Sequence, residues 1–160
     1  MKKVFSVFAA LVCAVMLVSC GAKSAYQDEI EKVGPKIQAG DFAEASVLVD
    51  KIFAEKDKAL ASDLIFAFTT KAGEAALKLK AGDAQGAIEG YNKSLEILSA
   101  AKAKSDYAKT ADALKSLNGT DIAAVEQNVQ ASIQGAQALI QQAEAESDPA
   151  EEEAEEGEEE

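Results

Sequence analysis

From Ser24 onward, apolar residues recur every three or four positions, the spacing that gathers them on one face of an α-helix. Between Gly82 and Ser105 the set is Ala84, Ala87, Ile88, Tyr91, Leu95, Leu98 and Ala101. An earlier stripe comprises Phe42, Ala45, Leu48, Val49, Ile52 and Phe53. Between the two runs a third, of Leu60, Leu64, Ala67, Phe68, Ala72, Ala75 and Leu79, widened by Ile65 and Phe66. No stretch alternates with the period of two that a half-buried strand requires. The pattern predicts an all-α domain of six helices, at about 24–39, 42–56, 59–81, 84–103, 106–117 and 121–146.

The predicted boundaries rest on capping chemistry. Gly40, Gly82 and Gly119 stand where a helix ends on a left-handed residue, and Asp41, Asp83 and Thr120 follow as caps of the next helix. Asp41 with Glu44 fits a capping box, and Ser62 and Ser105 are further N-cap candidates. Pro35, lacking an amide donor, is expected to kink or interrupt the first helix.

The stretches "KIQAGDFAEASVLVDKIF" from Lys36 and "KLKAGDAQGAIEGYNKSL" from Lys78 share a frame. A shift of 42 residues maps Tyr26 onto Phe68, Ile37 onto Leu79, Val49 onto Tyr91 and Phe53 onto Leu95. A weaker third copy, "KSLNGTDIAA", places Ala124 where Ala45 and Ala87 stand. Three consecutive helical hairpins account for the recurrence. The small Ala one turn into each second helix is expected to let its partner approach closely. Gly82, Gly86 and Gly90 read as a close helix contact rather than a nucleotide loop.

The stretch around Gly82, Asp83, Ala87, Tyr91 and Ser94 resembles the second half of a tetratricopeptide repeat. Gly40, Asp41, Phe42, Ala45 and Val49 resemble it more loosely. The spacings of 42 and then 37 residues depart from that family's period of about 34, and the chain has no Trp. The resemblance therefore implies a compact array or bundle of similar hairpins, and a helical surface that binds protein or peptide.

The first residues change the picture from fold to address. "MKKVFSVFAALVCAVMLVSC" has Lys2 and Lys3, then an apolar run from Val4 to Val18 that is short for a membrane span. Its end, Leu17 to Cys20, resembles the lipobox of bacterial lipoprotein signal peptides; an ordinary secretory signal containing Cys is the alternative. The resemblance implies removal of residues 1–19 and a diacylglyceryl and acyl (palmitate-type) anchor on Cys20. Residues 20–23 are then a linker, 24–147 the helical domain and 148–160 an acidic tail. Gly21 after the Cys favours the outer membrane over the inner one. Cys13 leaves with the signal, so no thiol remains for a disulfide.

Charge narrows the partners. Sixteen basic residues, all Lys, face 28 acidic ones, and nine of the acids fall in "DPAEEEAEEGEEE". That balance repels phosphate backbones and argues against nucleic-acid binding. The tail lacks the apolar content to fold. With no His, no Arg and no free thiol, the usual general base, the commonest metal ligand and the bidentate anion clamp are missing. No catalytic residue, metal site or cofactor is expected. The sequence thus points to a lipid-anchored envelope protein that binds another envelope protein as adaptor or scaffold. A structural spacer carrying the acidic tail is the alternative, and the last helix, with a seam through Ile122, Val125, Val129, Ser132, Ala136, Leu139 and Ala143, could also support self-association.

Overall fold

The computed structural model describes residues 24–147, which form six α-helices and no strand. These are α1 (Gln27–Gln38), α2 (Ala43–Ala54), α3 (Ala61–Lys80), α4 (Ala84–Lys102), α5 (Tyr107–Asn118) and α6 (Ile122–Ser147). Residues 1–23, expected to hold the signal and the lipid-bearing Cys20, and the acidic residues 148–160 lie outside the described residues.

The recurrence at Lys36 and Lys78 is a repeated helix-ending motif. Gly40 N–H donates to the Ile37 carbonyl (3.0 Å) and Asp41 N–H to the Lys36 carbonyl (2.9 Å). Forty-two residues later Gly82 N–H donates to Leu79 (3.1 Å) and Asp83 N–H to Lys78 (3.0 Å). Such a reversal needs a positive φ at its glycine, and Gly40 and Gly82 adopt +84° and +89°. A Cβ at Gly82 would meet nothing within 4 Å, so Gly82→Ala should cost only the left-handed backbone strain, about 1–2 kcal/mol. A urea titration read by circular dichroism checks this. Gly119 is also left-handed (φ +73°), but its N–H donates back to Lys115, an ordinary helical step, and the third turn has a different shape.

Both early hairpins then close in one register. Lys51 reaches Glu29 (2.7 Å) and Lys36 pairs with Glu44, which sets α1 antiparallel to α2. The 42-residue shift carries Leu48 onto Gly90, and Gly90 in α4 faces Ala75 in α3. A Cβ on Gly90 would lie 2.8 Å from that of Ala75, so the glycine permits the close approach. Gly90 alone plays this part: Gly82 makes the turn, and Gly86 leaves room for the Asp83 carboxylate.

The caps differ in detail from the sequence expectation. Asp83 is an N-cap whose Oδ1 accepts from Gly86 N–H (2.8 Å). Asp41 accepts from Ala43 N–H (3.1 Å), but Glu44 turns to Lys36 and no capping box forms. Ser62 is not the cap of α3 but lies inside it: the N-cap is Leu60, whose N–H donates to Asp63. Asp106 rather than Ser105 stands at the start of α5. Thr120 is likewise displaced: α6 begins at Ile122, and Asp121 accepts from Ala123 N–H (3.0 Å). At α5 and α6 a carboxylate one residue nearer the helix stands at the start, and at α3 and α6 a carboxylate accepts from a backbone amide there. Pro35 sits inside α1 without interrupting it.

The core is built around α3, in which every residue from Ala61 to Thr70 is buried. α4 packs most extensively on it from one side and α2 from another, with α1 on the far side of α2. Phe66, Phe68, Leu64 and Ile65 of α3, with Tyr91 and Ile97 of α4, are among the largest side chains fully removed from water.

The third helix pair is arranged differently. α6 lies chiefly on α4, while the short α5 touches the ends of α3 and α4. Lys102 at the end of α4 pairs with Glu126 near the start of α6 (2.7 Å), and Ser132 further along stands beside the Tyr91 hydroxyl. α6 therefore runs antiparallel to α4. Ile122, Val125, Val129 and Ala136 face inward, whereas Ala124, mapped by the repeat onto Ala45 and Ala87, is exposed.

Candidate functional site

Two features have the geometry to do something beyond holding the fold. One is the end of the bundle where the described chain begins. The other is an open groove between α1 and α2.

At the chain's entry, Ser24 is buried and its Oγ donates to Asp63 Oδ1 across 39 residues of sequence. The same hydroxyl accepts from Tyr26 N–H (2.9 Å), and the Tyr26 hydroxyl donates to Glu55 Oε2 (3.2 Å). Asp63 Oδ2 accepts from Leu60 N–H (2.9 Å). Asp106 adds a second carboxylate at the same helix start, accepting from Ala61 N–H (3.2 Å). Two acceptors here satisfy amides that have no helical partner, and their charge suits the positive end of α3. Lys104 closes the loop by donating to the Asp57 carbonyl (3.0 Å).

Asp63 is only 2% exposed. Burial pushes its carboxyl above the ordinary range, with Asp106 adding to the rise; Ser24, the Leu60 amide and Lys104 oppose it. A carboxyl raised in the folded state favours folding most when protonated. That advantage is lost as pH climbs from 3.8 through the folded-state value. Removing the carboxyl is more damaging than neutralising it, because both Ser24 and Leu60 N–H lose their acceptor. Asp63→Ala should cost about 1–3 kcal/mol in thermal or urea unfolding, and Asp63→Asn less. Ser24→Ala should move the Asp63 titration further up, as read from its carboxyl carbon by NMR.

The groove is lined by Val33, Val47 and Leu48, with Glu29, Lys32, Glu44 and Lys51 along its sides. Val33 and Leu48 belong to the core edge, but Val47 is 71% exposed, the most exposed large apolar side chain among the described residues. Lys51 bonds Glu29 and stands 5.7 Å from the Tyr26 ring centre. An apolar floor between charged rims of both signs suits an amphipathic peptide or helix.

Among the described residues, no group of His, Cys, Asp or Glu is arranged to hold a metal ion. Nor is any described helix long and apolar enough to cross a membrane. Glu74 is a structural ion: burial works to raise its carboxyl, but Lys71 (2.9 Å) and Ser46 (2.8 Å) outweigh it, and the group is held below its usual range.

Of the residues marked in the sequence, Gly40, Asp41, Gly82 and Asp83 come together in pairs at the two similar turns, and Gly119 and Thr120 sit at the third. They build the scaffold rather than a site. Cys20 falls outside the described residues. The Ser24–Asp63 bond was not visible in sequence, since nothing local joins residues so far apart. Val47 carried a faint signal: it lies off the apolar stripe of its own helix. No protein-family model, no curated protein and no solved structure matches this chain.

Proposed function

We propose that this chain is a lipid-anchored protein of the bacterial cell envelope, attached through Cys20, whose helical body works by binding another envelope protein. The observation that carries the binding role is the α1–α2 groove with the exposed Val47 in its lining. An exposed branched side chain between paired charges is what a partner helix would cover. The anchor rests on the leader ending in "LVSC", and two or more acyl chains hold far more firmly than one. The role is non-enzymatic, and recognition by shape on a tetratricopeptide-like surface fits side chains that include no His, Arg or Trp.

A photo-crosslinking residue placed at Val47 in cells tests this. The expected outcome is a discrete adduct with an envelope protein, lost in a Cys20→Ala chain and missing when the probe stands at exposed Asn92. No adduct at Val47, or the same adducts from both positions, would contradict the reading.

The spacer reading has one observation of its own: α6 runs past the last buried residue, Ala136, and leads into the acidic stretch. Under it, deletion of residues 148–160 abolishes the phenotype; under the adaptor reading that deletion leaves function intact.

A further inference from the structure

The two termini leave the bundle at opposite ends. Ser24 and Tyr26 are fixed beside Asp63 and Glu55, at the start of α3 and the end of α2. The loop after α4 joins this end, through Lys104 to Asp57 and Asp106 to Ala61. So does the start of α6, through Glu126 to Lys102. From there α6 runs back along α4, with Ser132 level with Tyr91. At 1.5 Å per residue its 26 residues reach about 39 Å, against about 30 Å for the 20 residues of α3. From Gln137 to Glu146 all but Ile140 are exposed, Leu139 at 53%. The last two turns of α6 thus project past the Gly82 turn, and residues 148–160 continue from the end opposite Ser24.

Four peptide steps separate Cys20 from Ser24, a reach of at most about 14 Å. Because Ser24 is bonded into the bundle, a lipid on Cys20 cannot let the body tumble freely above a bilayer. We infer that the bundle stands end-on against the lipid surface, with the loops at 55–60 and 103–106 facing the headgroups and α6 pointing outward. This inference rests on the lipid-anchor reading above. The facing end carries Lys56, Lys58 and Lys104 together with Glu55, Asp57 and Asp106. Glu55 is taken by Tyr26 and Lys58, and Asp106 by Ala61 N–H. In an otherwise acidic chain, this near-balance lets the end approach anionic lipid. The α1–α2 groove then lies along the side of an upright body, open to a neighbour on the same membrane.

The test uses the chain from Cys20 to Glu160, whose one thiol is coupled to a maleimide lipid in vesicles of phosphatidylcholine and phosphatidylglycerol. Lysine acetylation is followed by mass spectrometry, with the uncoupled chain as reference. Acetylation of Lys56, Lys58 and Lys104 is expected to slow several-fold on the vesicles, with Lys36 and Lys80 unchanged. Moving the thiol to the other end, in a Cys20→Ser, Ser147→Cys chain, is expected to reverse the pattern. Equal slowing at both ends, no slowing, or protection of Lys56, Lys58 and Lys104 from either anchor would overturn the inference. The coupling is chemical, so its outcome is separate from whether cells acylate Cys20.

Discussion

Phe66→Ala is expected to destabilise the protein by about 3–5 kcal/mol, a large part of the roughly 5–15 kcal/mol that holds a domain together. Phe66 lies in the half of α3 that is buried on every side, with Leu64, Ile65, Ala67 and Phe68 all at 0% exposure around it. α2 and α4 pack on this helix and α5 meets its end, so no loop is free to collapse into the space left by the ring. The cavity should persist. With a urea slope of about 1–3 kcal/mol per molar, the midpoint should fall by one to several molar. A shift near that for Leu139→Ala, at an exposed site on α6, would mean that α3 is not the centre of the fold.

The second large effect tests the hairpin register. Gly90→Val should cost about 3 kcal/mol, because the new side chain must enter space already filled by Ala75. The obstacle is not a flexible tip: the nearest atoms are the Ala75 Cβ at 2.8 Å and its Cα at 3.4 Å. Relief requires α3 and α4 to separate along their most extensive contact. Gly90→Ala is milder, since the gain in helix propensity of up to about 1 kcal/mol offsets part of the clash. Adding Ala75→Gly should recover stability in the double variant, a favourable coupling of the kind a double-mutant cycle isolates. If Gly90→Val unfolds at the wild-type denaturant concentration, or Ala75→Gly gives no coupling, the close approach of the two helices is wrong.

Much of the fold was readable because it rests on short-range physics. Helix periodicity in α3 and α4 and the Gly-Asp turns at 40–41 and 82–83 are encoded within a few residues of where they act. The 42-residue shift aligned positions that are both buried, such as Tyr26 with Phe68 and Val49 with Tyr91. Cap identities were harder: α3 starts one residue before Ser62, with Leu60 as its cap, and at α6 it is Asp121 that accepts from Ala123 N–H. What stayed hidden is long-range. That α6 would lie on α4, with Ala124 turned to solvent, depends on how α5 tucks beneath α3, and nothing local to Ala124 reports it. The Ser24–Asp63 bond belongs to the same class, and so does the α1–α2 groove, which exists only once two helices with mismatched outer faces are side by side.

The account depends most on a short tether that holds a helical body at a membrane. Intact-mass measurement of the protein purified from its own cells tests that directly. The mass expected is that of the chain from Cys20 to Glu160 plus a diacylglyceryl group and an acyl chain, reduced to a species without lipid in the Cys20→Ala variant. A mass retaining Met1, or one of a leader-free chain with an unmodified Cys20, would contradict it.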